Sequence, residues 1–165
     1  MRVLFLFLLA FTALAPARAQ FANKPVKGTF YITVDDACTI YVNGTKLFAA
    51  GIGESRTPET ELKTDDRIVI QLRDDGGGRH FMIVFVSSDG QTLVNFRANN
   101  FKIVPDIGVT DFTTEQFQKW SKSAKAEKHK PILPIKSHSE FLWGDLSKCT
   151  IACIVNVDMF SLPQH

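Results

Sequence analysis

The sequence has 165 residues, of which 45% are hydrophobic and 22% are charged. This length supports one domain with a real hydrophobic core. Its 19 basic and 17 acidic residues nearly balance, which argues against a general nucleic-acid-binding protein.

A secretory signal peptide is predicted at residues 1–19. Arg2 precedes a short apolar run, and Ala17-Arg18-Ala19 is an A-x-A cleavage pattern. The alternative is a membrane anchor, but the run is shorter than the roughly 20 apolar residues that a spanning helix needs. We therefore expect a secreted, extracellular protein whose mature part, residues 20–165, is one domain without membrane insertion.

A strand, an acidic corner and a hairpin are predicted within residues 28–45. Apolar residues alternate with polar ones on both sides of Asp35-Asp36, which is the pattern of half-buried strands. Asn43-Gly44 ends the second run and favours a type I′ turn, in which both central residues take positive φ. The chain is therefore expected to bend at the aspartates and to reverse direction at Asn43.

Short strands continue along the chain, separated by residues that favour turns. Residues 51–59 are predicted as a loop because they contain two glycines and a proline. The second long run, residues 80–86, is apolar on both faces, as expected for a strand covered on both sides. The predicted strands are 67–72, 80–86, 92–96 and 101–104. Their spacing predicts an all-β antiparallel sandwich of jelly-roll type.

One short helix and a long basic loop are predicted before the last strand. Thr113 and Gln116 match a capping box, and Phe117 and Trp120 would form an apolar side of this helix. Residues 119–136 contain six lysines and one acid. This loop is either a patch for acidic glycans or another negatively charged surface, or a solvated loop without a ligand.

The closing strand, residues 149–158, contains two of the three cysteines. Trp143 lies just before it and is expected to fill the end of the core, the alternative being a platform for sugar stacking. Cys149 and Cys153 are too far apart along one strand to pair with each other. An exported protein favours disulfides, so Cys38 is predicted to pair with Cys153, or otherwise with Cys149.

Two polar features have both a functional and a structural interpretation. Asn43-Gly44-Thr45 is an N-x-T sequon, so Asn43 is a candidate glycosylation site, although the turn alone explains the asparagine. Acidic pairs at positions 35–36, 65–66 and 74–75 could bind calcium, but their spacing matches no calcium loop and turn chemistry explains them too. No cofactor is otherwise expected.

The sequence also resembles a known group of folds. "VDDACTIYVNGT" at residues 34–45 looks like the hairpin of galactose-binding-domain-like β-sandwiches. The segments "DRIVIQLRDDGGGRHFMIVFV" and "EFLWGDLSKCTIACIVNVD" follow in the order found in that group. The resemblance implies a secreted lectin-like module, or a non-catalytic module of a glycoside hydrolase, with ligands bound in end loops.

We therefore expect a protein that binds a glycan or another extracellular ligand and is not an enzyme. The histidines lack metal-site spacing, and the sequence has no G-x-S-x-G motif. The predicted ligand-binding residues are Asp35, Asp36, Arg73, Asp74, Asp75 and Arg79, whose charged groups suit sugar hydroxyls. The alternative function is a structural or adhesive protein that contacts other proteins.

Overall fold

The computed structural model describes residues 24–127, 137–144 and 146–162. The predicted signal peptide and part of the predicted basic loop lie outside the described residues. The strands are β1 Val26–Val42, β2 Thr45–Arg56, β3 Thr60–Leu62, β4 Arg67–Arg73, β5 Phe81–Ser87, β6 Leu93–Asn95, β7 Lys102–Val104, β8 Lys125–Glu127, β9 Phe141–Trp143, β10 Lys148–Ile154 and β11 Phe160–Ser161. One α-helix, α1, spans Thr114–Lys119, and 3-10 turns lie at Ala98–Asn100 and Val157–Met159.

Strand β1 joins the two halves of a curled antiparallel sheet. The strand order is β11-β6-β5-β1-β4-β10-β7, with β2 and β3 on the other edge of β1. The first half of β1 pairs with β5 and the second half pairs with β4. Between these halves β1 bulges at Asp35-Asp36, where Asp36 has a φ of 69°. The bend lets the two halves of the sheet face each other, which confirms the predicted all-β sandwich.

One core fills the space between the halves. It contains the inward residues of β1, including Phe30 and Ile40, and it also contains Ile151 of β10. Trp143 is completely buried there, as predicted. Strand β5 is covered on both faces, also as predicted, because Met82 packs with Phe141 in a separate cluster behind the sheet.

Local sequence patterns predict several structural elements correctly. Asn43 and Gly44 have φ values of 49° and 80°, which confirms the predicted hairpin turn. Thr113 Oγ1 accepts a hydrogen bond from the Gln116 amide, and the Gln116 side chain accepts one from the Thr113 amide, so the predicted capping box is formed. None of the helices in the described part of the chain is long and apolar enough to cross a membrane.

Three predicted boundaries are wrong. The predicted loop at 51–59 is mostly strand, because β2 continues to Arg56 and pairs with the first half of β1. The closing strand β10 ends at Ile154, since the chain turns at Val157–Met159 instead of continuing to Asp158. Within the predicted basic loop, β8 pairs with β9.

The predicted disulfide of Cys38 is also wrong. All three cysteines are buried as thiols. In the sheet register, Leu72 of β4 lies between Cys38 and Cys149, so these two cysteines are separated by two strand spacings. That is roughly 10 Å, beyond the ~7 Å between Cα atoms that a disulfide permits. Cys153 lies opposite Ile68, farther along β4.

Burial disfavours the thiolate forms of Cys38 and Cys153. Desolvation raises the pKa of Cys38 to about 12, although a hydrogen bond with the Ala50 backbone opposes this shift. Burial likewise raises the pKa of Cys153. The thiolate is the reactive form of cysteine, so these side chains contribute to the core as small apolar groups.

Candidate functional site

The acidic corner and the Asp74 turn lie side by side, because β4 and β5 pair with adjacent parts of β1. The amide of Asp35 donates a hydrogen bond to the His80 carbonyl at 2.7 Å. The amide of Asp75 donates to Asp36 Oδ2 at 2.5 Å. The six predicted ligand-binding residues therefore belong to one end of the sandwich.

The carboxylate of Asp74, at the centre of this corner, already accepts hydrogen bonds from neighbouring residues. Asp74 is only 7% exposed, and it accepts hydrogen bonds from the Gly76 amide and from Arg79 Nε at 2.9 and 3.0 Å. These contacts, the Gly76 amide first, lower the pKa of Asp74 below its usual range. Arg73 and Asp75 form an exposed ion pair at 3.0 Å. The carboxylates of Asp36 and Asp74 therefore stabilise the turn, and a ligand would have to displace these contacts.

Aspartate also stabilises the turn at the C-terminal end of β1. Asn43 donates its side-chain amide to Asp66 Oδ1 at 2.8 Å and accepts a hydrogen bond from the Arg67 amide at 3.0 Å. Asp66 is buried and also accepts from the Lys63 amide at 2.8 Å. These contacts show that Asn43 and Asp66 stabilise the turn. Glycosylation of Asn43 remains a prediction.

The acidic pairs do not form an evident metal site in the part of the chain that the structure describes. There, no group of three or more histidine, cysteine, aspartate or glutamate side chains is arranged to hold a metal ion.

A groove of about 410 Å³ opens beside β7 and the start of β10. We call it the Trp120 groove. Three separate segments form it: β7 with the loop that follows it, the end of α1 with the residues after it, and the turn before β10 with the start of β10. Its lining residues are Ile103, Val104, Pro105, Ile107, Lys119, Trp120, Ser121, Lys122, Leu146, Lys148 and Cys149.

Trp120 is held in place by the end of α1. It is the C-cap residue, and its amide donates to the Phe117 carbonyl at 3.3 Å. Its indole ring packs against the rings of Phe112 and Phe117 at centroid distances of 5.3 and 6.1 Å. The chain beyond it is tied to β7 by a hydrogen bond from the Ile103 amide to the Lys122 carbonyl at 2.7 Å. The half-buried indole is therefore rigidly supported on one side.

Two exposed apolar side chains contribute to the lining. Ile107 is 56% exposed and Leu146 is 66% exposed, both on short connecting segments. The Ile107 carbonyl accepts a hydrogen bond from Thr150 Oγ1 at 2.9 Å, and the Leu146 carbonyl accepts one from the Trp143 indole at 3.0 Å. These hydrogen bonds anchor the backbones of Ile107 and Leu146 to the sandwich beside the groove.

The charged side chains of the groove are all basic. Lys119, Lys122 and Lys148 contribute to the lining, and none of the described lining residues is acidic. Lys119 pairs with Glu115 at 2.7 Å, but both side chains are at least 70% exposed. Water screens such a pair, so it holds Lys119 only weakly.

The sequence predicts a ligand site at the corner and does not predict the groove. In the sequence, Lys119 and Trp120 belong to the predicted basic loop and helix, and the other lining residues lie on segments separated from them in the chain. A signal was present, since Ile107 and Leu146 are large apolar residues in segments rich in turn-forming residues. That signal does not show that the two segments meet.

The fold and the groove together define an all-β sandwich with one supported aromatic side chain in a basic recess. Comparison with protein-family models, curated proteins and solved structures gives no match. Function therefore has to be inferred from the residues of the groove.

Proposed function

We propose that this protein is an exported, non-catalytic carbohydrate-binding module that holds its ligand in the Trp120 groove. The observation that carries the proposal is the position of the Trp120 indole in an open recess lined by lysines and aliphatic side chains. Export is supported by the signal-peptide pattern at residues 1–19.

The groove has the chemistry that sugar binding requires. A sugar ring has apolar C–H faces and a polar rim of hydroxyl groups. An indole offers a flat apolar face to the ring, and lysine amines donate hydrogen bonds to the hydroxyl oxygens. The volume of about 410 Å³ lies within the range of ordinary ligand pockets.

The corner is a weaker candidate than the sequence suggested. Asp36 and Asp74 already accept hydrogen bonds from the turn itself. A sugar binding there would exchange these contacts for equivalent ones, which gives little net free energy. The groove contains a preformed aromatic surface, and its Lys119 is held only by an exposed ion pair with Glu115.

The alternative, a protein that contacts other proteins, is favoured by a separate observation. Strand β2 pairs with β1 along one edge and with no other described strand. Ile52 on β2 is 74% exposed. An exposed edge of this kind can add a strand from another protein.

A glycan array with the mature protein, with and without calcium, tests the proposal. We expect selective binding that Trp120→Ala weakens at least about tenfold, because loss of aromatic stacking and burial is worth about 1.4 kcal/mol or more. Tyr31→Ala is the matched control. Tyr31 is a half-buried aromatic residue in the first half of β1, outside the groove lining, and it packs under Arg56 at 4.5 Å. We expect this variant to bind as the wild type does.

Two results would contradict the proposal. Absence of binding to any glycan would leave the protein-contact alternative. The second result is full binding by Trp120→Ala together with loss of binding in an Asp36→Ala, Asp74→Ala double variant of unchanged melting temperature. It would show that the ligand binds at the corner. Thermal melts of every variant separate loss of binding from loss of folding.

A further inference from the structure

We infer that the ligand of the Trp120 groove is an anionic glycan chain, carrying carboxylate or sulfate groups. The inference rests on the proposed function and names the substrate class of that site. Its basis is charge complementarity along the groove and along a second recess beside it.

A second recess of about 240 Å³ continues the groove across the ends of β4 and β10. The two recesses share Ile107, Lys148 and Cys149 as lining residues, so they lie side by side, and we call the pair the trough. Arg73 lines the far part, which adds a fourth basic side chain. An extended trough suits several consecutive sugar units better than a single small molecule.

Basic groups are concentrated in this trough without acidic neighbours in its lining. Lys119, Lys122, Lys148 and Arg73 contribute to it, and the described lining residues of both recesses include no aspartate or glutamate. Clefts lined by one sign of charge raise the local concentration of oppositely charged ligands. The lining of the trough therefore favours an anionic ligand over a cationic one.

The sheet register places two of these cations directly opposite each other. Lys148 on β10 pairs in register with Arg73 on β4. Like charges at directly opposed positions destabilise a sheet. Arg73 is partly compensated by Asp75 at 3.0 Å, in a pair whose side chains are more than half exposed. An anionic group bound between Lys148 and Arg73 would relieve the remaining repulsion.

The shape of the site favours a glycan over an anionic membrane. Ile107, Leu146 and the lysines would also suit a lipid surface, which takes up apolar side chains beside basic ones. Here, however, the apolar side chains and the Trp120 ring line a recess. A flat bilayer cannot enter that recess, whereas a chain of sugar rings can lie in it.

The test uses pairs of glycans that differ in the number of their anionic groups. Heparin is compared with the same chain after desulfation, which keeps its carboxylates, and polygalacturonate is compared with its neutral methyl ester. We expect the more anionic member of at least one pair to bind at least about tenfold more tightly, with binding that weakens at high salt because water and ions screen this open site. The two pairs distinguish sulfate from carboxylate as the recognised group.

Lysine variants test whether the anionic groups of the glycan are bound in the groove. The triple variant Lys119→Gln, Lys122→Gln, Lys148→Gln should lose at least about tenfold in affinity for the charged chain, since three exposed ion pairs of modest strength are removed together. The control is Lys27→Gln, Lys46→Gln, Lys63→Gln, which removes the same charge from three exposed lysines outside both recesses. We expect the control to bind as the wild type does.

The outcomes separate this inference from the proposed function. Equal binding of the two members in both pairs, still dependent on Trp120, would overturn the anionic class and retain carbohydrate binding. Binding to neither member of either pair, and to no glycan on the array, would overturn both. Equally tight binding to polyglutamate or to phosphatidylserine vesicles, lost in the groove triple variant, would replace the glycan by a peptide or a membrane and so contradict the inference.

Discussion

Replacing Gly28 by alanine should lower the free energy of unfolding by about 3 kcal/mol, the upper end of the usual range for overpacking. Gly28 lies in β1 between β5 and β3. A Cβ atom at this position would lie 2.2 Å from the Val86 carbonyl oxygen and 2.7 Å from the Phe85 ring. A backbone oxygen cannot move aside without disturbing the β1–β5 pairing, so the strands must shift.

Gly51→Ala is the matched control for this prediction. Gly51 also lies in a strand, but a Cβ atom there would meet only the Asp36 carbonyl oxygen at 3.9 Å, which is an ordinary contact. We expect this variant to be as stable as the wild type or slightly more stable, because alanine loses less backbone entropy than glycine. Thermal unfolding measures both, and Gly28→Ala should lower the melting temperature by roughly 10 °C. Equal melting temperatures would contradict the β1–β5 packing described here.

Trp143→Ala should be at least as destabilising, by about 3–5 kcal/mol. Trp143 is completely buried and belongs to the central cluster between the two halves of the sheet. Its removal leaves a cavity, and it also leaves the Leu146 carbonyl without the indole donor at 3.0 Å. Both effects favour the unfolded state.

Trp143→Phe separates the two contributions. Phenylalanine keeps most of the apolar volume but cannot donate the hydrogen bond, so we expect a loss of about 1–2 kcal/mol. Urea unfolding of both variants provides the free energies. A Trp143→Ala variant as stable as the wild type would show that residue 143 does not lie in the core.

Much of the fold could be predicted because local pattern and tertiary structure agree. Phe30, Ile32 and Val34 alternate in sequence, and all three are buried in β1. Asn43-Gly44 forms the predicted turn because few other pairs accept positive φ at both positions.

Features that depend on long-range pairing could not be predicted in this way. Gly53, with a φ of 102°, looks like part of a loop in sequence, yet the first half of β1 holds β2 as a strand around it. The Cys38 disulfide was predicted because an exported protein favours one, but sheet register decides the distance. Register depends on which strands are neighbours, and the order in sequence does not fix that.

The candidate sites differ in the same respect. The corner is predicted because Asp36 and Asp74 both lie at the ends of predicted strands and because the resemblance implies ligands in end loops, and the structure does bring the two residues together. The groove combines Trp120 with Leu146 and Lys148, which lie on separate segments. Only the three-dimensional arrangement shows that these side chains share one recess.

The most direct test of the groove as the binding site is a titration followed by ¹H–¹⁵N correlation spectra. The ligand is the tightest glycan from the array. We expect the indole N–H signal of Trp120 and the amide signal of Lys122 to shift as the groove fills, and to shift more than the amides of Gly76 and Gly77 in the corner. Shifts at Gly76 and Gly77 with an unmoved Trp120 signal would contradict binding in the Trp120 groove.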